Sequence, residues 1–266
     1  MKKLIALFLA LLMLSATAAF AAETIDLTTY TGEELEALKV QVAEEIKARL
    51  LTEKVETPYS DLIYASNGEE VRINGYKGTG GDVYIPDEID GVPVTQIYKT
   101  AFLYSKIGSL RLPDGLISIG VSAFYGTNLK SVVEIPKHVQ EISDLAFYHS
   151  MVNGVVIQSD CTIGVSCFEY TENLDFVYIR KGCKIVFADS ESSSCEHFCQ
   201  SSIRTLVLPA DVEFKDDTVF EGCNHLTVYC PAGSAAEQYC KDNFIACNTA
   251  DYEAMVAYYE ALYPAE

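Results

Sequence analysis

The sequence predicts a β-rich α/β solenoid, in which about seven short strands stack into a parallel sheet and a helical segment flanks each end. Three observations predict this. Pairs of the Ala-Phe type recur along the chain, an apolar residue followed by a turn-marking residue recurs between them, and both series keep the same period of about 22 residues. Self-similarity at such a period is the mark of a stacked-repeat architecture, because a unit that short cannot bury both of its own faces.

The first series is Ala101-Phe102, Ala123-Phe124, Ala146-Phe147, Cys167-Phe168, His197-Phe198 and Val219-Phe220, with Phe spacings of 22, 23, 21, 30 and 22. The second is Ile85-Pro86, Leu112-Pro113, Ile135-Pro136, Ile157-Gln158, Ile179-Arg180, Leu208-Pro209 and Cys230-Pro231, with spacings of 27, 23, 22, 22, 29 and 22. Both lengthen at one place, which locates an insertion around Phe187 to Cys195. Each unit reads as a short strand, a turn, and a return segment carrying the Phe. Alternation puts Leu110 and Leu112 on the core face and Ser109 and Arg111 on the other. Proline then ends pairing, having no N–H for the ladder. The return segment is expected to bury Ile119 and Phe124.

The phrases "LRLPDGLISIGVSAFYGTNL" and "VEIPKHVQEISDLAFYHS" resemble the BspA-like class of bacterial leucine-rich repeats. "GEEVRINGYKGTGGDVYIPDEIDGVPVTQI" is similar to that family's opening repeat, and "LTVYCPAGSAAEQYCKDNF" to its closing repeat, with Ser234 to Asn243 as a capping helix. The resemblance covers roughly Asn67 to Asn248. Gln158 and Arg180 replace the proline in two repeats, and the insertion before His197 also departs from the pattern. The resemblance implies a leucine-rich-repeat solenoid, surface-exposed and non-catalytic, engaged in binding or adhesion; it implies no catalytic residues.

The expected organisation is a signal peptide over 1–21, an N-terminal amphipathic helix within 22–58, the solenoid with its caps over 59–248, and an acidic tail over 249–266 that is a second helix candidate. Lys2 and Lys3, the apolar run from Leu4 to Leu14, and Ala19 and Ala21 before Ala22 have the layout of a secretory leader. That run is too short to span a bilayer. The expected mature chain is therefore secreted or cell-surface, without membrane insertion and without a recognisable C-terminal sorting motif. In the first flank Thr31 and Glu34 form a capping box, and Leu35, Leu38, Val42, Ile46 and Leu50 follow at helical spacing. In the tail, Met255, Tyr259 and Leu262 share one side.

The formal net charge is −19 at pH 7, and loss of Lys2 and Lys3 makes it more negative still. Such a surface repels phosphate backbones, so nucleic acid is not an expected partner. No G-x-S-x-G, H-E-x-x-H or P-loop occurs. Gly78-Thr79-Gly80-Gly81 precedes a strand and not a helix N-terminus, so it reads as a turn. His138, His149 and His225 fall at turn positions of the repeat. No catalytic, cofactor-binding or metal site is expected.

All nine Cys lie between Cys161 and Cys247, and export permits disulfides. Cys195-Glu196-His197-Phe198-Cys199 admits a loop disulfide or plain packing, a disulfide to a neighbouring repeat, or a metal or Cys–His nucleophile site. Packing is favoured because His197-Phe198 takes the Ala-Phe place. Cys240 and Cys247 flank the closing helix and are a candidate clip. Cys161 and Cys183 align with Leu116, Val139 and Val212, and read as a reduced core ladder.

The candidate binding residues are the strand positions facing away from the core: Tyr84, Arg111, Val156, Phe176, Tyr178, Val207 and Tyr229. Aromatic and β-branched residues also simply favour strands. Seven strands with three outward residues each give a face of roughly 330 Å², against the about 800 Å² per partner of a stable protein interface. Adjoining loops must therefore contribute. The expected function is a secreted, non-catalytic binding or adhesion module for an extracellular protein or glycan. The alternatives are an assembly protein self-associating through its helices, and an enzyme using the Cys195 to Cys199 insertion.

Overall fold

A computed structural model describes residues 57–189 and 197–264. The leader, the amphipathic segment from Thr31 to Leu50 and Cys195 lie outside the described residues. Contacts divide the chain into two compact units, and the larger, built around Glu56–Glu260, holds the architecture below.

The opening repeat supplies β1 (Leu62–Ser66), β2 (Val71–Tyr76), β3 (Gly81–Tyr84), β4 (Glu88–Ile89) and β5 (Val92–Ile97). Each following repeat adds a first strand and a return strand. These are β6 (Ile107–Arg111) with β7 (Ser118–Ile119), β8 (Val132–Ile135) with β9 (Glu141–Ile142), and β10 (Gly154–Ile157) with β11 (Cys161–Ile163). Two more pairs follow, β12 (Phe176–Ile179) with β13 (Lys184–Phe187) and β14 (Thr205–Val207) with β15 (Asp211–Phe214). The chain closes with β16 (Thr227–Tyr229), helix α1 (Ala235–Asp242), β17 (Ala246–Asn248) and helix α2 (Tyr252–Leu262).

The first strands are parallel, as the repeat demands, but they form two pieces: β3 with β6, and a six-stranded sheet in the order β17-β16-β14-β12-β10-β8. The return segments form a second, nine-stranded sheet on the path β1-β2-β5-β7-β9-β11-β13-β15, with β4 paired to β5. Strands of two residues such as β7 and β9 show no alternation in sequence, so the second sheet that the return segments build is not among the elements the sequence predicts.

Register shows how the period becomes a core. Val133, Val155, Val177, Leu206 and Val228 stand in one column across β8, β10, β12, β14 and β16, all fully buried. Ile119, Ile142, Ile163, Phe187 and Phe214 make the facing column across the second sheet. Between the sheets the Phe marker builds a continuous stack. Successive ring centroids along Tyr76, Phe102, Phe124, Phe147, Phe168 and Phe198 are 5.4, 5.1, 5.2, 5.6 and 5.3 Å apart. Offset stacking at such separations adds about 0.5–1.5 kcal/mol per pair beyond area burial. The 5.3 Å step from Phe168 to Phe198 places His197-Phe198 in the Ala-Phe position despite the insertion.

The Phe sits in a tight turn bounded by left-handed residues. Two positions before it, Thr100, Ser122, Leu145 and Ser166 have φ of 57, 54, 58 and 53°. Two positions after it, Tyr104, Gly126, His149, Tyr170, Gln200 and Gly222 do the same, at 52 to 76°. The turns also bond to one another, Phe102 N donating to Ala123 O at 2.8 Å and Phe124 N to Ala146 O at 2.8 Å. A third hydrogen-bonded column thus joins the two sheets along the stack. The Gly78–Gly81 stretch is a turn leading into β3. A Cβ on Gly80 would stand 2.4 Å from Lys106 O, so the close approach excludes any side chain there.

Cys161 and Cys183 are both buried and unbridged, but they are not register partners. Cys161 lies opposite Ile185, and Ile185 opposite Val212. The chain from Ile179 to Ile185 is two residues longer than the chain between their partners Ile157 and Cys161, and Gly182 at φ 93° lies in the longer one. Burial pushes the Cys161 thiol up to about 12, with Cys183 and Asp160 nearby adding to it, and pushes Cys183 to about 11. A raised folded-state pKa favours the protonated thiol. Its contribution is complete below the unfolded value near 9 and disappears as pH rises through about 11 to 12. Stability should therefore fall from pH 9 upward, and Cys161→Val with Cys183→Val should flatten that limb in urea titrations. An unchanged slope would show that the two thiols do not contribute to it.

Helix α1 caps the core. Ser234 Oγ accepts from Glu237 N at 3.2 Å, a standard N-cap, and Tyr239 closes the aromatic stack against Phe214 at 4.0 Å. Helix α2 buries Tyr252, Val256 and Tyr259. The buried stripe is therefore not the Met255, Tyr259 and Leu262 side read from the tail; only Tyr259 is common to both.

Candidate binding surface

The structure brings Val156, Tyr178, Val207 and Tyr229 into one register row and pairs Tyr84 with Arg111 on a separate two-stranded sheet, but leaves only part of this surface open. Tyr84 is opposite Arg111, and the Arg111 guanidinium lies over the Tyr84 ring at 4.5 Å. Arg111 also pairs with Asp114 at 2.9 Å and Asp87 at 3.4 Å, so its charge is already answered within the chain. Further along, Val156, Tyr178, Val207 and Tyr229 align across β10, β12, β14 and β16. They do face away from the core, since Val156, Tyr178 and Val207 stand outside its contact cluster. They are not exposed as expected, however: all three are fully buried.

The cover is α2. The Tyr259 ring stacks on Tyr178 at 5.0 Å and 13° and lies 4.9 Å from Phe176. Lys181 Nζ meets Glu253 at 2.9 Å beside this contact. Gly154 makes room for it, because a Cβ there would strike the Phe176 ring at 2.4 Å. Burial pushes the Tyr178 hydroxyl up to about 12, helped by Glu260. The C-terminal half of the strand row is thus an internal helix seat, while Phe176 and Tyr229 keep partial exposure.

The open aromatic surface lies elsewhere. Tyr104, Tyr125, Tyr148 and Tyr170 form a second ladder on the outside of the Phe turns, with centroid steps of 5.3, 4.8 and 5.4 Å. His149 lies 6.3 Å from Tyr170. Tyr104 is 65% exposed, and the other three are half-buried. The backbone holds the rings in place: Tyr104 N donates to Tyr125 O at 2.8 Å, and Tyr104 lies against Gly126, where a Cβ would meet its ring at 2.4 Å. Burial, the hydrogen bond with Tyr104 and then the Glu169 carboxylate raise the Tyr125 pKa. Burial and Glu169 do the same for Tyr148. The ladder therefore offers neutral phenols beside a carboxylate. Among the described residues, every exposed large apolar side chain except Phe244 falls between Tyr59 and Val121, including Tyr98, Leu103 and Ile117. The sequence signal for the ladder was a Tyr one or two places after the Phe marker, which strand periodicity does not examine.

The groups that suggested chemistry are arranged for packing. His197 is fully buried, edge-on to Phe187 at 5.4 Å. Cys199 is buried. His138, Asp160 and Cys183 share the rim of a recess of about 340 Å³. The Cys183 thiol is held protonated by burial and by Asp160, opposite to what an activated nucleophile needs. Among the described residues no cluster of three or more His, Cys, Asp or Glu is arranged to hold a metal. Cys240 and Cys247 are both thiols, so the expected clip is absent, and the Cys247 sulfur lies 3.3 Å from that of Cys230.

Two parallel sheets closed by buried columns, turn after turn, define a leucine-rich-repeat solenoid. The chain belongs to the BspA type leucine rich repeat family, whose model matches six copies over residues 95–227. Repeat regions of this class are generally non-catalytic binding modules. Among solved structures the chain is similar to a leucine rich repeat protein of T. pallidum, at 23% identity and a TM-score of 0.49, over 73% of this chain and 98% of that one. No curated protein matches the chain. No helix among the described residues is long and apolar enough to cross a membrane.

Proposed function

We propose that the chain is an exported, non-catalytic binding or adhesion module that meets an extracellular protein or glycan through the tyrosine ladder. The observation that carries this reading is the column of Tyr104, which is exposed, with Tyr125, Tyr148 and Tyr170, which are half-buried. Tyrosines concentrate binding energy because they bring a large rigid area with a polar tip and lose little side-chain freedom. Leu103, exposed beside Tyr104 in the chain, adds apolar area next to the ladder. The family is typically secreted or surface-located, and the basic, apolar and A-x-A start of the chain supports export. The assembly reading loses one of its two helices, because α2 directs its apolar stripe onto the strand row.

Replacing Tyr125, Tyr148 and Tyr170 together by Ser tests the proposal. Against a panel of immobilised extracellular glycoproteins and free glycans, any binding shown by the parent should fall at least about tenfold, equivalent to about 1.4 kcal/mol. The circular-dichroism spectrum should remain that of the parent. Undiminished binding by a folded variant would move recognition to another face.

A further inference from the structure

Three of the cysteines converge in the closing cap. Cys230 follows β16 and takes the core position held by Ile157, Ile179 and Leu208 in earlier repeats. Cys247 is the middle residue of β17, opposite Val228. Their sulfurs are 3.3 Å apart, inside the ordinary contact distance of two sulfur atoms. Cys240, on α1 between them, is fully buried, and the neighbouring Cys247 and Cys230 add to the effect of burial in raising its pKa. Cys230 is also fully buried, whereas Cys247 is partly exposed.

We propose that Cys230 and Cys247 form an oxidisable pair that locks the closing cap when the protein meets a small-molecule disulfide, with Cys240 remaining a thiol. The accessible partner reacts first. The Cys247 thiolate attacks one sulfur of the reagent RSSR, a Cys247–S–S–R bond forms, and RS⁻ leaves and takes up a proton. Cys230 then attacks the Cys247 sulfur at short range, its proton passing to the second departing RS⁻. Two protein thiols and one RSSR become one protein disulfide and two RSH, so the reagent accepts the two electrons lost by the protein. The bond would join the end of β16 to β17 across a separation of 17 positions that contains α1. Terminal repeats have a neighbour on one side only, and fray first.

The full chain should be treated with oxidised glutathione, digested without reduction and mapped by mass spectrometry. The expected product is a peptide pair linking Cys230 to Cys247, formed equally in Cys240→Ser and absent in Cys230→Ser and Cys247→Ser. Amide exchange across 235–248 should slow at least tenfold on oxidation in the parent and in Cys240→Ser, and stay unchanged in the other two variants. A Cys240–Cys247 linkage, or no intrachain bridge among the three, would overturn the pairing. A Cys230–Cys247 bridge that left exchange unchanged would overturn the locking role.

Discussion

Phe124→Ala should destabilise the solenoid by about 3 to 5 kcal/mol. Phe124 is fully buried and stacks on Phe102 at 5.1 Å and on Phe147 at 5.2 Å. Its removal opens a cavity that close neighbours cannot fill, because the inter-sheet columns are fixed by register on both sides. The damage should be graded along the chain. Solenoid repeats hold one another through nearest-neighbour contacts, so exchange protection should fall most in β7, β9 and the turns beside residue 124. It should fall least near α1. Urea titration gives the magnitude and hydrogen exchange gives the gradient. Uniform loss of protection from β1 to α2 would contradict one-dimensional stacking.

Tyr178→Ser should cost about 2 to 4 kcal/mol and release α2. An outward-facing strand residue would ordinarily tolerate Ser. Tyr178 does not, because it is fully buried beneath Tyr259. Loss of its ring removes the stacking partner and leaves Tyr252, Val256 and Tyr259 over a polar hydroxyl. The exposed Lys181–Glu253 pair contributes too little to hold the helix alone. Exchange of the α2 amides should accelerate in the variant while the central strands keep their protection. Unaltered α2 exchange would show that the helix is held by other contacts.

The central repeats were readable because two markers recur independently. The Phe marker became the aromatic stack and the proline-marked residue falls at or immediately after the end of each first strand. Even the outward row was assigned to the correct side of the sheet, since side-chain alternation in strands is geometric. What failed was the inference from outward to exposed. Tyr178 is covered by Tyr259, 81 positions later in the chain, a contact that no local pattern carries. The tail itself misled: Met255, Tyr259 and Leu262 form one acceptable apolar stripe, Tyr252, Val256 and Tyr259 another, and only the docked sheet selects between them. The thiol pairs failed for a related reason. Cys161 and Cys183 match by distance from the turn marker, but two extra residues before β13 shift the register. Cys230 looked like an ordinary core substitute for Leu208, and its approach to Cys247 depends on how α1 returns the chain to β17. The tyrosine ladder lies beside the Phe marker, in return segments whose sequence speaks first for the buried Phe.

Radical footprinting of the tyrosines, read by mass spectrometry with and without a bound extracellular glycoprotein, tests most directly that the ladder is the open recognition face and the strand row a closed one. In the free chain Tyr104 should be modified fastest, with Tyr125, Tyr148 and Tyr170 following, while Tyr178, Tyr252 and Tyr259 stay protected. With the glycoprotein bound, protection should extend to the four ladder tyrosines. Modification of Tyr178 and Tyr259 at the rate of Tyr104, or protection confined to Tyr84 and Tyr229 on binding, would contradict the account.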